Sequence, residues 1–241
     1  MPKIAVVQEP PVYLNLGKSM DRAVDLIASA AAKGCELVVF PEAWLAGYPT
    51  FVWRLAPGSG MGKTDALYAR LLANSVNRSK EGLGPLQEAA KEHGVVVVMG
   101  YQEVDGSGSR STIFNSCAII DADGRLANNH RKLMPTNAER MVWGFGDGSG
   151  LNVVDTAVGR IGTLICWENY MCWRATRCMP RTSKSMWPRR GTAVPYGKRP
   201  CSILRAKVAA GSSDVRRRWK PLTSRTTFPI GMSCSRTRTN G

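Results

Sequence analysis

Gly159-Arg-Ile-Gly-Thr-Leu-Ile-Cys-Trp-Glu168 is the stretch from which the rest of the chain can be read. Ile161, Leu164 and Ile165 make it a nearly continuous apolar run, the pattern of a strand buried on both faces. That strand is expected to end at Cys166. A cysteine at the end of a rigid element can present its sulfur to a pocket, which nucleophilic catalysis requires. Free cysteine is also a common small buried hydrophobe, so this stretch alone leaves both readings open.

Working outward, Lys3–Gln8 is a short apolar strand. Met20, Val24, Ile27 and Ala31 recur at helical spacing over residues 16–33, with Gly34 as the stop. Leu37-Val-Val-Phe40 is a second buried strand, closed by Pro41-Glu42. Strand, helix, strand in that order implies a parallel pair, whose ligand crevice lies just past the strand ends, where Glu42 stands. Further on, the pattern predicts helices near Asp65–Val76 and over Pro85–His93, with Gly94 as a stop, and a third strand over Val95–Gly100. Asp121-Ala-Asp-Gly124 is a turn sequence joining Asn115–Ile120 to Arg125–Lys132. A second hairpin joins Leu151–Asp155 to Arg160–Cys166 through Val158-Gly159. Alternating α and β units followed by hairpins predict an α/β protein with a mixed sheet covered by helices.

Composition narrows the classes. The opening Met1-Pro-Lys-Ile-Ala-Val-Val is too short and too soon polar for a signal peptide, and no stretch reaches membrane-spanning length, so a cytoplasmic protein without membrane contact is expected. Seven cysteines without CxxC spacing and two histidines suggest neither a zinc site nor a disulfide framework. Charge is the anomaly. Residues 172–241 hold 17 of the 33 Lys and Arg but one of the 18 acids, Asp214, so the net +15 lies wholly in that tail. There Pro, Arg, Ser and Thr dominate, with neither strand nor helix periodicity.

Glu42, Lys132 and Cys166 each stand at a predicted strand end. A thiol has a pKa of about 8.5, so a neighbouring base or cation is needed to raise its thiolate fraction at neutral pH, and a lysine can stabilise charge developing on a substrate. Each also has a plainer reading: Glu42 as a helix cap, Lys132 as a solvated strand end. Their coincidence at three strand ends favours chemistry.

These residues lie in longer motifs. Gly34-Cys-Glu-Leu-Val-Val-Phe-Pro-Glu42-Ala-Trp-Leu-Ala-Gly-Tyr-Pro49 resembles the first signature of the nitrilase branch of the carbon-nitrogen hydrolases. His130-Arg-Lys132-Leu-Met-Pro-Thr136, with Glu139-Arg140 and Trp143–Ser149, is similar to the second, and Gly159–Asn169 to the nucleophile segment. The likeness covers residues 3–171, taken as one incomplete hydrolase domain (1–171). It implies an αββα sandwich and a triad of Glu42 as base, Lys132 as cation and Cys166 as nucleophile. Glu139, Trp167 and Tyr48 are implied as supporting or substrate-binding residues, His130 as structural. The implied reaction converts a small-molecule nitrile to acid and ammonia without metal or organic cofactor, in a homo-oligomer. An amidase of the same superfamily is the alternative.

From residue 172 the likeness stops. One permitted encoding of Cys172–Arg181, read two bases later, gives LARYALYAQ, and the same frame continues with DIEVYVAPTWDSGTVWQ, strings that resemble the family. A single missing base near codon 172 would account for this, and for the arginine excess of a GC-rich gene read out of frame. Residues 172–241 are therefore expected to be disordered and the chain as written poorly folded and weakly active. A fusion whose basic tail binds nucleic acid through Arg216-Arg-Arg218 and interleaved tryptophans is the other reading of that tail.

Overall fold

The computed structural model describes residues 2–55, 60–80, 82–106, 108–109, 111–170, 202–203, 226–227 and 232–235. Three parallel strands, β1 (Ile4–Val7), β2 (Leu37–Val39) and β4 (Val96–Val104), lie side by side; β3 (Val76–Asn77) pairs with the far end of β4. β5 (Ile113–Ile120) and β6 (Leu126–Arg131) continue the sheet as antiparallel neighbours. A smaller sheet holds the hairpin β7 (Val153–Thr156) and β8 (Gly159–Gly162), with β9 (Ser202–Ile203) parallel to β8. β10 (Thr226–Thr227) and β11 (Met232–Ser235) extend the large sheet beyond β1, β11 antiparallel to it. The rest of the tail, including its basic run, lies outside the described residues.

Side chains of a strand alternate between faces, and that alternation assigns the layers. Val38, Val97, Met99, Ala118 and Ile120 pack on helices α1 (Leu16–Ala32) and α3 (Gly84–His93). Leu37, Val39, Val96, Val98 and Ile119 point the other way and pack on Ile161 and Val154 of the small sheet. Helices, sheet and sheet are thus three of the layers of the expected sandwich. The second helical layer that the resemblance implies is not found among the described residues. Helix α2 (Met61–Ala73) packs through Leu71 and Leu67 into a separate apolar cluster with Phe51, Val52 and Trp143.

Local signals bound the helices, the Gly94 stop as expected. Asn15 caps α1 by accepting from the Lys18 N–H at 3.0 Å, and Gly94 ends α3 in a left-handed conformation, φ 62°. One expectation is corrected. The strand predicted to run to Cys166 stops at Gly162, and Cys166–Tyr170 forms a 3₁₀ turn. Its backbone is claimed locally: the Glu168 N–H donates to the Ile165 carbonyl (3.1 Å), and the Ile165 N–H donates to the Glu168 carboxylate (2.8 Å).

Candidate active site

Glu42 follows β2 in a tight turn laid across β4. The Phe40 and Leu45 N–H groups donate to the carbonyls of Val98 and Gly100, and Gly100 has no side chain to interfere. A Cβ there would lie 2.1 Å from the Pro41 oxygen and 2.8 Å from the Glu42 Cα, so the turn can approach only because residue 100 is glycine. Lys132 is the first residue past β6, anchored by its N–H to the Asn115 carbonyl at 2.8 Å. Glu139 begins no regular helix; it sits in a 3₁₀ turn (Asn137–Met141) whose Thr136 capping box places its carboxylate on the Thr136 N–H.

These segments converge. The Lys132 ammonium, 1% exposed, donates to Glu139 Oε2 at 2.7 Å and to Glu42 Oε1 at 3.2 Å. The Asn115 amide donates to the same Glu42 oxygen at 2.7 Å. Tyr48 Oη donates to Glu139 Oε1 at 2.6 Å and accepts from the Trp53 indole at 3.0 Å. Lys132 Nζ lies 5.6 Å from the Trp143 ring centroid, within cation–π range, and Trp143 is fixed by its indole N–H to Gln102 at 2.6 Å. Cys166 lines one small cavity with Glu42, Asn115, Cys117 and Thr163. A larger open hollow of about 560 Å³ by Ser75, Asn77, Ser79 and Lys80 contains none of these groups.

The electrostatics favour proton movement between neighbours. Burial, then the Glu42 charge, raises the Cys166 pKa, against the downward pull of Lys132 and the Trp167 N–H. Burial likewise raises Glu42, outweighing Lys132 and Asn115. A carboxylate so raised is a better match for a thiol proton than an ordinary glutamate. Burial alone would lower Lys132, but Glu42 and Glu139 more than offset it and keep it charged. Cys166 has φ 55°, a left-handed conformation costing about 1 kcal/mol or more for a residue with a Cβ. Among the described residues no cluster of three or more His, Cys, Asp or Glu could hold a metal ion.

Five of the six residues singled out by sequence therefore share one locale: Glu42, Lys132, Glu139 and Tyr48 by direct bonds, Cys166 through the common cavity. Trp167 is 58% exposed at its edge. Sequence reasoning passed over Glu168. It is 2% exposed and bound to the Leu133 N–H (2.8 Å), the Ile165 N–H (2.8 Å) and His130 Nε2 (2.8 Å). Asn115 was also missed; a polar residue inside the apolar strand 113–120 was its one signal.

The family model described as carbon-nitrogen hydrolase matches residues 3–177. An aliphatic nitrilase of Rhodococcus rhodochrous is 40% identical over 168 residues, 70% of this chain and 44% of that protein. An arylacetonitrilase of Aspergillus niger is 39% identical over 170 residues, 69% of this chain and 47% of that one. The chain thus spans about half the length of these relatives. Among solved structures, Nit3 of Saccharomyces cerevisiae, a member of branch 10 of the nitrilase superfamily, superposes with TM-score 0.56 at 23% identity, over 72% of this chain and 58% of that one. A carbon-nitrogen hydrolase of Helicobacter pylori gives 0.52 at 20%, over 73% and 56%. At those identities the two structures speak for the fold alone, while the family match takes in every residue of the Glu42, Lys132, Glu139 and Cys166 locale: the chain belongs to the carbon-nitrogen hydrolase family.

Proposed function

We propose that residues 1–171 are the catalytic portion of a nitrilase. Glu42 takes the Cys166 proton and the thiolate adds to the nitrile carbon. One carbon–nitrogen π bond opens onto nitrogen, whose charge Lys132 stabilises while a proton returns to it from Glu42. Water then adds to the thioimidate and ammonia leaves; a second water cleaves the thioester and releases the carboxylic acid. Glu139, held by Tyr48 and Thr136, keeps the Lys132 ammonium beside Glu42, which lines the Cys166 cavity. The observation that carries this reading is the buried Lys132 shared between Glu42 at 3.2 Å and Glu139 at 2.7 Å beside the Cys166 cavity. The choice of nitriles over amides rests on relatives named nitrilases.

The proposal includes the tail: residues 172–241 are the product of a shifted reading frame, and the chain as written turns over little substrate. The test compares two proteins, the 241-residue chain and a counterpart with the alternative frame restored from codon 172. Ammonia release is measured from aliphatic and arylacetic nitriles and from the matching amides. The restored protein is expected to hydrolyse nitriles faster than amides, and Cys166→Ala to abolish this. Rapid nitrile turnover by the chain as written would overturn the tail assignment; turnover of amides alone would overturn the nitrilase reading. A homo-oligomer and a cytoplasmic location go with the proposal, checked by sedimentation and cell fractionation. No helix among the described residues is long and apolar enough to cross a membrane.

A further inference from the structure

The nucleophile segment and the cation segment are separate pieces of chain, 34 positions apart in sequence. A nucleophile in a left-handed conformation holds its place only if its surroundings over-determine it. Glu168 supplies such surroundings for both segments at once. Its Oε2 accepts from the N–H of Ile165, the residue before Cys166, at 2.8 Å. Its Oε1 accepts from the N–H of Leu133, the residue after Lys132, also at 2.8 Å. Each oxygen of one carboxylate thus holds the backbone next to a different reacting group.

The carboxylate is itself fixed. His130, on β6 two residues before Lys132 and fully buried, meets Oε2 through Nε2 at 2.8 Å. Opposite an ionised carboxylate that nitrogen can act only as a donor. His130 Nδ1 has no hydrogen-bond partner among the described residues, so the tie to Glu168 is the polar contact that orients the ring. Close backbone packing steadies this strand from the other side: a Cβ on Gly150 would stand 2.1 Å from the Asn129 oxygen and 2.4 Å from the His130 Cα.

We infer that Glu168, oriented by His130, is a positioning residue that sets the spacing between the Cys166 sulfur and the Lys132 ammonium. It acts through the two flanking backbone N–H groups. The inference rests on the proposed role of Cys166 and Lys132. Charge-assisted bonds from backbone N–H to carboxylate are short and strong, and replacing the carboxylate by an amide turns one acceptor into a donor facing another donor. One of the two anchors is then lost, and Lys132 recedes from the thiol whose pKa it lowers.

The experiment needs no turnover and is run side by side on the 241-residue chain and on its frame-restored counterpart. Alkylation of Cys166 by iodoacetamide is followed against pH by peptide mass, with Cys117 in the same protein as the reporter of opening. Glu168→Gln is expected to slow Cys166 alkylation about tenfold at pH 8, one unit of upward shift in the midpoint, while Cys117 stays slow. His130→Gln, which keeps an N–H donor within reach, is expected to stay within about twofold of the parent, and His130→Ala to follow Glu168→Gln. An unchanged midpoint in Glu168→Gln overturns the inference. So does joint acceleration of Cys166 and Cys117 in both Glu168→Gln and His130→Ala, which marks a pair that merely holds the fold together. Lys132→Ala separates this from the underlying reading. If it leaves the midpoint in place, the role given to Lys132 fails; if it moves the midpoint and Glu168→Gln does not, the positioning role alone fails.

Discussion

Replacing Gly100 by alanine should separate the charge state of the nucleophile from catalysis. The added Cβ would stand 2.1 Å from the Pro41 oxygen, where ordinary contact begins at 3.4 Å, so the turn carrying Glu42 must withdraw by about 1.3 Å. The atoms in the way are backbone and cannot rotate aside. The Lys132–Glu42 contact, now 3.2 Å, would then pass beyond hydrogen-bond range. A displacement of about 1 Å in a reacting constellation costs on the order of 100-fold in rate, or about 2.7 kcal/mol of barrier. Overpacking should cost a further ~1–3 kcal/mol of stability, a fall in Tm of roughly 2–12 °C at the 2–4 °C per kcal/mol of a domain of this size. Withdrawal of Glu42 also removes a charge that raises the Cys166 pKa. The thiol should therefore alkylate faster even as the frame-restored protein releases ammonia about 100-fold more slowly. Ammonia release, iodoacetamide kinetics and thermal melting in one preparation decide the matter. Activity within twofold of the parent, or Cys166 alkylation that slows, would show that the Gly100 crossing does not place Glu42.

Other perturbations have defined outcomes. Lys132→Met leaves Glu42 and Glu139 facing each other without their cation; it should cost ~3–5 kcal/mol in denaturant unfolding and move the Cys166 alkylation midpoint to higher pH. A raised Glu42 pKa places the acid limb of kcat/KM above the ordinary glutamate value of 4.5, so an acid limb below pH 4 would remove Glu42 as the base. Glu103 is almost wholly buried and accepts from Arg131 at 2.6 Å, Ser116 at 2.7 Å and Asn129 at 2.9 Å. Burial pushes its pKa up, but these donors hold it below the usual range. Its contribution to stability is then full above the unfolded-state pKa and lost as pH falls through the lower folded value. Glu103→Gln should flatten the acid end of the stability profile, measured by urea unfolding between pH 6 and pH 3. Burial raises the Cys117 thiol to about 12, so at pH 8 it should resist iodoacetamide in the native protein and react on unfolding, as peptide mapping would record.

The parallel core was legible because strands buried on both faces leave unbroken apolar runs and because Gly34 and Gly94 end helices α1 and α3 through positive φ. Glu42 and Lys132 were legible as polar residues where such runs stop. The end of β8 was not, since Leu164 and Ile165 are apolar and buried whether they pair in a ladder or close a turn. Beyond Gly162 the Ile165 N–H goes to the Glu168 side chain instead of to a neighbouring strand, a competition between side chain and ladder that hydropathy does not register. The same blindness hid Glu168 itself. In sequence it is a charged residue next to an exposed Trp167; only the tertiary fold delivers His130 and the Leu133 N–H to it.

One ammonium serving two carboxylates leaves the cluster of Glu42, Lys132 and Glu139 with an unbalanced negative charge while the thiol keeps its proton. On the proposed reading, an uncharged nitrile enters that field without electrostatic opposition. On the same reading, the acid formed there ionises beside two carboxylates that share one ammonium, so the charge that leaves a neutral nitrile unopposed pushes the product out.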